Sequence, residues 1–240
     1  MFSIIIKAKS VTASFRVPES HTFQQTLPLP PITTLTGIVG AAVGLSFSEA
    51  MAFRVENEFR FGVTGRHLGQ FRDLWKYNKV KNCYKPDGSD RQDVLLREFL
   101  VDFSMEFIVA APDKSAVAKL RLAFLRPQYA LSAGNSDDII KIIDVSKPSR
   151  LQELPCTDFE NTVLPGDSTA VYEPLLDLEQ TSITETIRAP QVYLLPTAFA
   201  FDGDVRRVIR REPFTFVGSA ISLNKPILAV NVAGAHVALI

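Results

Sequence analysis

The order of apolar periodicities predicts an α+β protein whose first 146 residues run strand, helix, strand, strand, helix, strand, the ferredoxin-like pattern. Three observations carry this expectation. Residues 3–9 (SIIIKAK) open with a continuous apolar core, as a strand buried on both faces requires. Residues 26–45 (TLPLPPITTLTGIVGAAVGL) combine a rigid proline entry with an apolar, glycine-rich helix. Residues 94–111 (VLLREFLVDFSMEFIVAA) form a long β-branched and aromatic run that ends at Pro112. Residues 147–240 predict an extended, proline-containing connector and a smaller β-rich C-terminal lobe, with the domain boundary at 146/147.

Taken in order, the opening strand leads through 11–18 (VTASFRVP) to a polar stretch carrying His21 and then to Pro28, Pro30 and Pro31, which favour an extended approach. Thr33 or Thr34 is expected to cap the helix that follows. Gly37, Gly40 and Gly44 recur at spacings of three and four along one side of it. Interior glycines cost roughly 1 kcal/mol each against alanine. Close packing on a sheet would offset that cost, and so would a ligand at the helix start, whose free amides and positive dipole end suit a phosphate. Both readings stay open on the spacing alone. Residues 53–65 alternate and read as one or two strands.

Residues 66–85 change character. Arg66, Arg72, Lys76, Lys79, Lys81 and Lys85 are opposed only by Asp73, and His67, Phe71, Trp75, Tyr77 and Tyr84 lie among them. Pro86-Asp87-Gly88 is a turn signal, so 66–97 predicts a long hairpin excursion whose return arm is the run at 94–111. Such a segment suits a polyanion or an acidic protein surface, and equally a solvated, edge-protecting hairpin. Phe15 and Arg16 fit a ring for base stacking beside a phosphate contact, or a core phenylalanine beside a surface arginine. Asp113 should cap a helix over 114–125, a loop follows with Gly134, Asn135 and Ser136 at its centre, and 139–145 (IIKIIDV) is the next strand. Short strands are expected at 181–189, 192–196, 199–202, 213–223 and 227–240. A second basic cluster, Arg206, Arg207, Arg210 and Arg211, is flanked by Asp202, Asp204 and Glu212.

Composition narrows the function classes. With 26 basic and 26 acidic residues the chain has no global basic signature, so any nucleic-acid site must be local. The apolar run at 35–47 is about 13 residues, too short for a membrane span. Cys83 and Cys156 lack metal-ligand spacing and read as reduced thiols of a cytoplasmic protein, with a single disulfide between them as the alternative. No phosphate loop, zinc-protease, serine-hydrolase or Cys-x-x-Cys motif occurs, and nothing asks for a cofactor or metal. The three histidines are isolated: His236 reads as structural, while His21 or His67 with Tyr77 or Lys79 leaves a metal-independent ribonuclease as the alternative.

The pieces ASFRVP (13–18), TLPLPPITTLTGIVGAAVGL (26–45), LLREFLVDFSMEFIVAA (95–111) and YALSAGNSDDII (129–140) stand in the order found in the Cas-five family of CRISPR-associated RAMP proteins, which the chain resembles over roughly its first 145 residues. The resemblance implies a subunit of a type I Cascade interference complex in antiviral defence. Such a subunit grips the 5′ handle of the guide RNA (crRNA), caps the filament of backbone subunits, docks beside the large subunit, and meets target DNA only through the assembly. It implies that Phe15, Arg16, Thr33, Thr34, Gly37, Gly134, Asn135 and Ser136 form the handle surface. It also implies that 66–97 is a thumb over the RNA, and the basic and aromatic residues Arg66, Arg72, Trp75, Lys76, Tyr77, Lys79, Lys81 and Lys85, together with His21, are the further expected RNA contacts. Related proteins often carry arginine where Asn135 stands. One branch cleaves precursor RNA with a Tyr, Lys and His set that includes adjacent Lys and His. This chain has no such pair, so a binding role with processing by a separate endonuclease is expected.

Overall fold

The computed structural model describes residues 1–20, 22–78, 92–175, 187–203 and 205–240. In chain order its elements are β1 (Phe2–Ala13), β2 (Phe15–Arg16), β3 (Phe23–Gln24), β4 (Thr26–Leu27), α1 (Ile32–Val43), α2 (Phe47–Glu56), β5 (Arg60–Arg66) and β6 (Gly69–Asn78). There follow β7 (Gln92–Ala111), α3 (Lys114–Leu125), β8 (Ile140–Val145), β9 (Ser149–Arg150), β10 (Leu154–Phe159) and β11 (Thr162–Pro165). The last are β12 (Tyr172–Pro174), β13 (Gln191–Asp202), β14 (Val205–Val217), β15 (Ile221–Val232) and β16 (Ala235–Ala238). The protein is thus mostly β-sheet with few helices.

β1 is bonded on both edges, antiparallel to β7 from Phe2↔Ala111 to Ala13↔Leu100 and to β8 from Ile6↔Val145 to Ser10↔Ile140. It is also covered on both faces, which is why its sequence is continuously apolar. Ile4 and Ile6 enter the core shared with α1 and α3, and Ile5 packs on the opposite side against a core containing Val230, Val232 and Val237. β5 lies on the far side of β7, and the main sheet runs β13-β14-β11-β5-β7-β1-β8.

The C-terminal strands do not gather into one separate lobe. β11, β13 and β14 extend the N-terminal sheet, while β10, β12, β15 and β16 form a second sheet. The boundary expected at 146/147 is therefore crossed by the main sheet itself: Thr162 Oγ1 donates to the Val63 carbonyl at 2.8 Å, and Thr162 pairs with Thr64. The physical reason is edge protection, since β5 would otherwise expose a row of unpaired backbone groups.

α1 begins at Ile32 with Pro31 as its N-cap and no side-chain cap hydrogen bond. Thr33 and Thr34, expected as caps, therefore sit in its first turn. The glycines do three different things. A Cβ on Gly40 would lie 2.6 Å from the Ala50 Cβ of α2, so that glycine allows two helices to touch. Gly44, at φ +92°, ends the helix in the left-handed conformation, and a Cβ on Gly37 would meet nothing within 4 Å.

Residues 53–65 are not all strand. Ser46 accepts from the Glu49 amide and the Glu49 side chain accepts from the Ser46 amide, a capping box that starts α2 and delays β5 to Arg60. α3 follows expectation: Asp113 accepts from the Ser115 and Ala116 amides, and Val117, Leu120 and Phe124 are buried. The expected strands at 192–196 and 199–202 are one strand, β13, and the arginine cluster lies on its partner β14. The expected strand at 227–240 is the end of β15 and all of β16, turned at Gly234. Most of the strand expected at 181–189 lies outside the described residues. Among the described residues no helix is long and apolar enough to cross a membrane.

Candidate nucleic-acid interface

Where the β1–β2 corner, the start of α1, the loop before β8 and the β13–β14 hairpin meet, they enclose an open groove of about 600 Å³. Arg16, Thr33, Thr34 and Asn135 line it from the N-terminal elements, and Arg206 and Arg211 from the hairpin. Three stretches at least 60 residues apart in sequence, 14–34, 134–135 and 195–211, are thereby brought together.

Gly134 makes that possible. It has φ +106°, and a Cβ there would fall 1.8 Å from the Ser14 carbonyl oxygen, so only glycine allows the loop to lie directly on the β1–β2 corner. The Ser14 amide donates to the Ala133 carbonyl at 2.9 Å and fixes the contact. Ser136, on the same loop, is exposed but does not line the groove, and neither does Gly37.

Phe15 does not offer a ring for base stacking. It is 1% exposed, packed edge-on against Phe103 at 5.2 Å, with its amide donating to Thr26 Oγ1 at 2.8 Å. The correction is a matter of alternation: β2 pairs with β4, so one of two adjacent side chains must enter the core, and the ring does. Its neighbour Arg16 then points outward, steadied by the Ser20 carbonyl at 2.9 Å.

The hairpin contributes what sequence reasoning left without a role. Arg210 pairs with Glu212 at 3.6 Å and Arg211 with Glu19 at 2.7 Å. Among the described residues Arg206 makes no ion pair; its guanidinium carbon lies 5.3 Å from the Phe47 ring centre and 5.8 Å from that of Phe199. The described lining holds three arginines and no carboxylate, in a chain whose formal charge is zero. With Arg211 partly offset by Glu19, Arg16 and Arg206 keep the groove locally positive. The uncapped start of α1 adds the positive end of its dipole beside Thr33 and Thr34. The grouped arginines were legible in the sequence; their meeting with Arg16 depended on the order of the main sheet.

β6 and β7 pair residue for residue from Gly69↔Val101 to Asn78↔Gln92. Trp75 and Tyr77 stack at 5.4 Å on one face of this ladder, and Lys76 is exposed on the other. Arg97 sits 5.5 Å from the Trp75 ring and bridges Asp73 at 3.1 Å and Asp137 at 3.5 Å, which ties the ladder to the Gly134 loop. Arg72 is not a free cation: it pairs at 3.2 Å with Glu98, which is buried. Arg66 pairs loosely with Glu160 at 3.7 Å. His21, Lys79, Lys81, Lys85 and the turn at 86–88 lie outside the described residues, as does Cys83; Cys156 is a free thiol.

Neither His67 nor His236 lines the groove. His67 contacts the Arg188 guanidinium, and burial together with that positive charge holds its pKa below the ordinary histidine value. His236 Nδ1 meets the Asp158 carbonyl at 2.9 Å, in line with a structural role. Among the described residues no cluster of His, Cys, Asp and Glu could hold a metal ion.

Comparison with known proteins adds the identity of the scaffold. Among curated proteins no sequence matches. A chain of a CRISPR RNA-guided surveillance complex is similar in structure, with a TM-score of 0.56 and 15% identity over 93% of this chain and 91% of that one. A CRISPR protein from Archaeoglobus fulgidus is similar with a TM-score of 0.51 and 11% identity, over 99% and 98% of the two chains. At such identities the likeness is one of fold. The model of the CRISPR-associated protein (Cas_Cas5) family matches residues 3–185, most of the sequence, and the chain therefore belongs to that family.

Proposed function

We propose that the chain is a non-catalytic RNA-binding subunit of a type I CRISPR Cascade complex that holds and caps the 5′ handle of crRNA. In this reading it contacts the backbone and large subunits, meets target DNA only through the assembly, and works in the cytoplasm. The observation that carries the reading is the groove. It gathers Arg16, Thr33, Thr34 and Asn135, all positions that the family resemblance assigns to the handle, and adds Arg206, which makes no ion pair among the described residues, and Arg211, whose partner Glu19 is not among the lining residues. An arginine-lined groove beside a helix N-terminus suits a phosphodiester chain.

The order β5-β7-β1-β8, with α1 and α3 packed in one core, supports a ferredoxin-like N-terminal domain. The β6–β7 ladder, with the Trp75–Tyr77 stack, supports the thumb. The absence of His67 and His236 from the described groove lining favours holding over cutting.

Sequencing the RNA that co-purifies with the tagged protein tests the proposal. Guide RNAs sharing one 5′ segment are expected, with the same segment protected from nuclease. Recovery of no enriched RNA, or of a protein that cleaves precursor RNA at a defined site in chelator, overturns it.

A further inference from the structure

Arg206 differs from every other arginine of the groove. Arg16 is steadied by a carbonyl and Arg211 by Glu19, but Arg206 is held by aromatic faces, those of Phe47 at the start of α2 and Phe199 on β13. Phe47 and Phe199 are themselves packed edge-on at 5.5 Å, and Phe201 stands 6.1 Å from Phe47. These rings belong to different elements, so the arrangement is a built corner, not a single exposed side chain. The Arg206 guanidinium is exposed, lines the groove, and makes no ion pair among the described residues.

A planar guanidinium whose position is fixed by rings has two uses beside a polyanion. It can meet a phosphate as a point charge, or offer its plane to a nucleobase. Rings at its back fix the cation for either use, but only a stacking platform also gains from the apolar surround that they give a splayed base. The groove, at about 600 Å³, has room for a base as well as backbone.

We infer that the Phe47–Phe199–Arg206 corner is a nucleobase-stacking subsite: the hairpin wall takes an unpaired base, while Arg16, Arg211 and the α1 start take flanking phosphates. This rests on the RNA-binding reading given above. The subsite tolerates any base, since each has a π face and, among the described residues, Phe47, Pro196, Phe199 and Val208 of the lining carry no side-chain group that reads a base edge.

The test uses full-length protein and single-stranded RNA carrying one 2-aminopurine, moved stepwise along an otherwise uridine sequence. For the wild type, one position should show strongly altered fluorescence on saturation. Arg206→Lys keeps the charge but removes the plane, so it should abolish that change while the dependence of affinity on salt is preserved. Phe199→Ala should do the same and weaken binding about tenfold. Arg16→Ala should weaken binding yet leave the change intact at saturation. RNA binding that depends on Arg16, with an unaltered fluorescence change in Arg206→Lys and Phe199→Ala, overturns the stacking subsite and leaves the RNA-binding reading standing. Failure of the wild type to bind any of these RNAs overturns both. Melting curves of each variant separate loss of stacking from loss of fold.

Discussion

Arg211 Nη1 donates to Glu19 Oε1 at 2.7 Å, an ion pair between residues 192 apart in sequence that joins the turn after β2 to the hairpin wall of the groove. Glu19 is 62% exposed and Arg211 35%, so water screens the pair and its net worth is about 0–1 kcal/mol. A phosphate can therefore displace the carboxylate. Glu19 is a resident competitor for one of the three groove arginines.

Glu19→Gln should consequently strengthen RNA binding, by up to about fivefold at low salt, with little change in melting temperature. Fluorescence anisotropy titrations at low and moderate salt check this. Weaker binding in Glu19→Gln would mean that the pair shapes the groove instead of competing for it.

Arg16→Ala should weaken binding at all sequences alike and flatten the plot of log affinity against log salt by about 0.7 for one lost single-strand phosphate contact. Arg72→Ala should act differently. Because Arg72 neutralises buried Glu98, its loss should lower thermal stability more than it alters the salt dependence. Paired melting and binding measurements separate the two.

Gly134→Ala should destabilise the corner that holds the groove together. The left-handed φ alone costs about 1–3 kcal/mol, and the overlap with the Ser14 carbonyl must also be relieved by moving the loop. Lower denaturation midpoint and lost RNA binding are expected together. The change Gly37→Ala, in the interior of α1 where a Cβ meets nothing, should instead raise stability by up to about 1 kcal/mol and serves as the control.

His67 gives the pH dependence a sign. Burial and the Arg188 charge lower its folded pKa, so the folded state resists the proton that the unfolded chain accepts. No effect is expected above about pH 6.5, and stability should fall progressively as pH drops below that value. Denaturation midpoints measured from neutral to mildly acid pH should show this slope in the wild type and a shallower one in His67→Gln.

Much of this was legible in the sequence because it is local. The both-faces apolar run of β1, the Asp113 cap of α3 and the long strand β7 follow from period and capping chemistry that any window of a dozen residues contains. The Ser46–Glu49 capping box was equally local, but the apolar alternation after Phe53 obscured it. What could not be read was which separated pieces meet. The burial of Phe15 depends on β2 pairing with β4, and the arrival of Arg206 and Arg211 at the groove depends on β11 continuing the sheet from β5 to β14. Those are long-range pairings that no local pattern encodes. The basic character of 66–85 was plain, whereas the commitment of Arg72 to Glu98 became visible only once β6 and β7 were in register.

The most direct measurement of the central claim is ultraviolet crosslinking of the purified protein to its co-purifying RNA, followed by mass spectrometry of the crosslinked peptides. Crosslinks should concentrate on peptides containing Arg16, Thr33–Thr34, Asn135 and the Phe199–Arg206 hairpin, and should diminish in the combined Arg16→Ala, Arg206→Ala and Arg211→Ala variant. Crosslinks confined to the second sheet of β10, β12, β15 and β16, and unchanged in that variant, would contradict it.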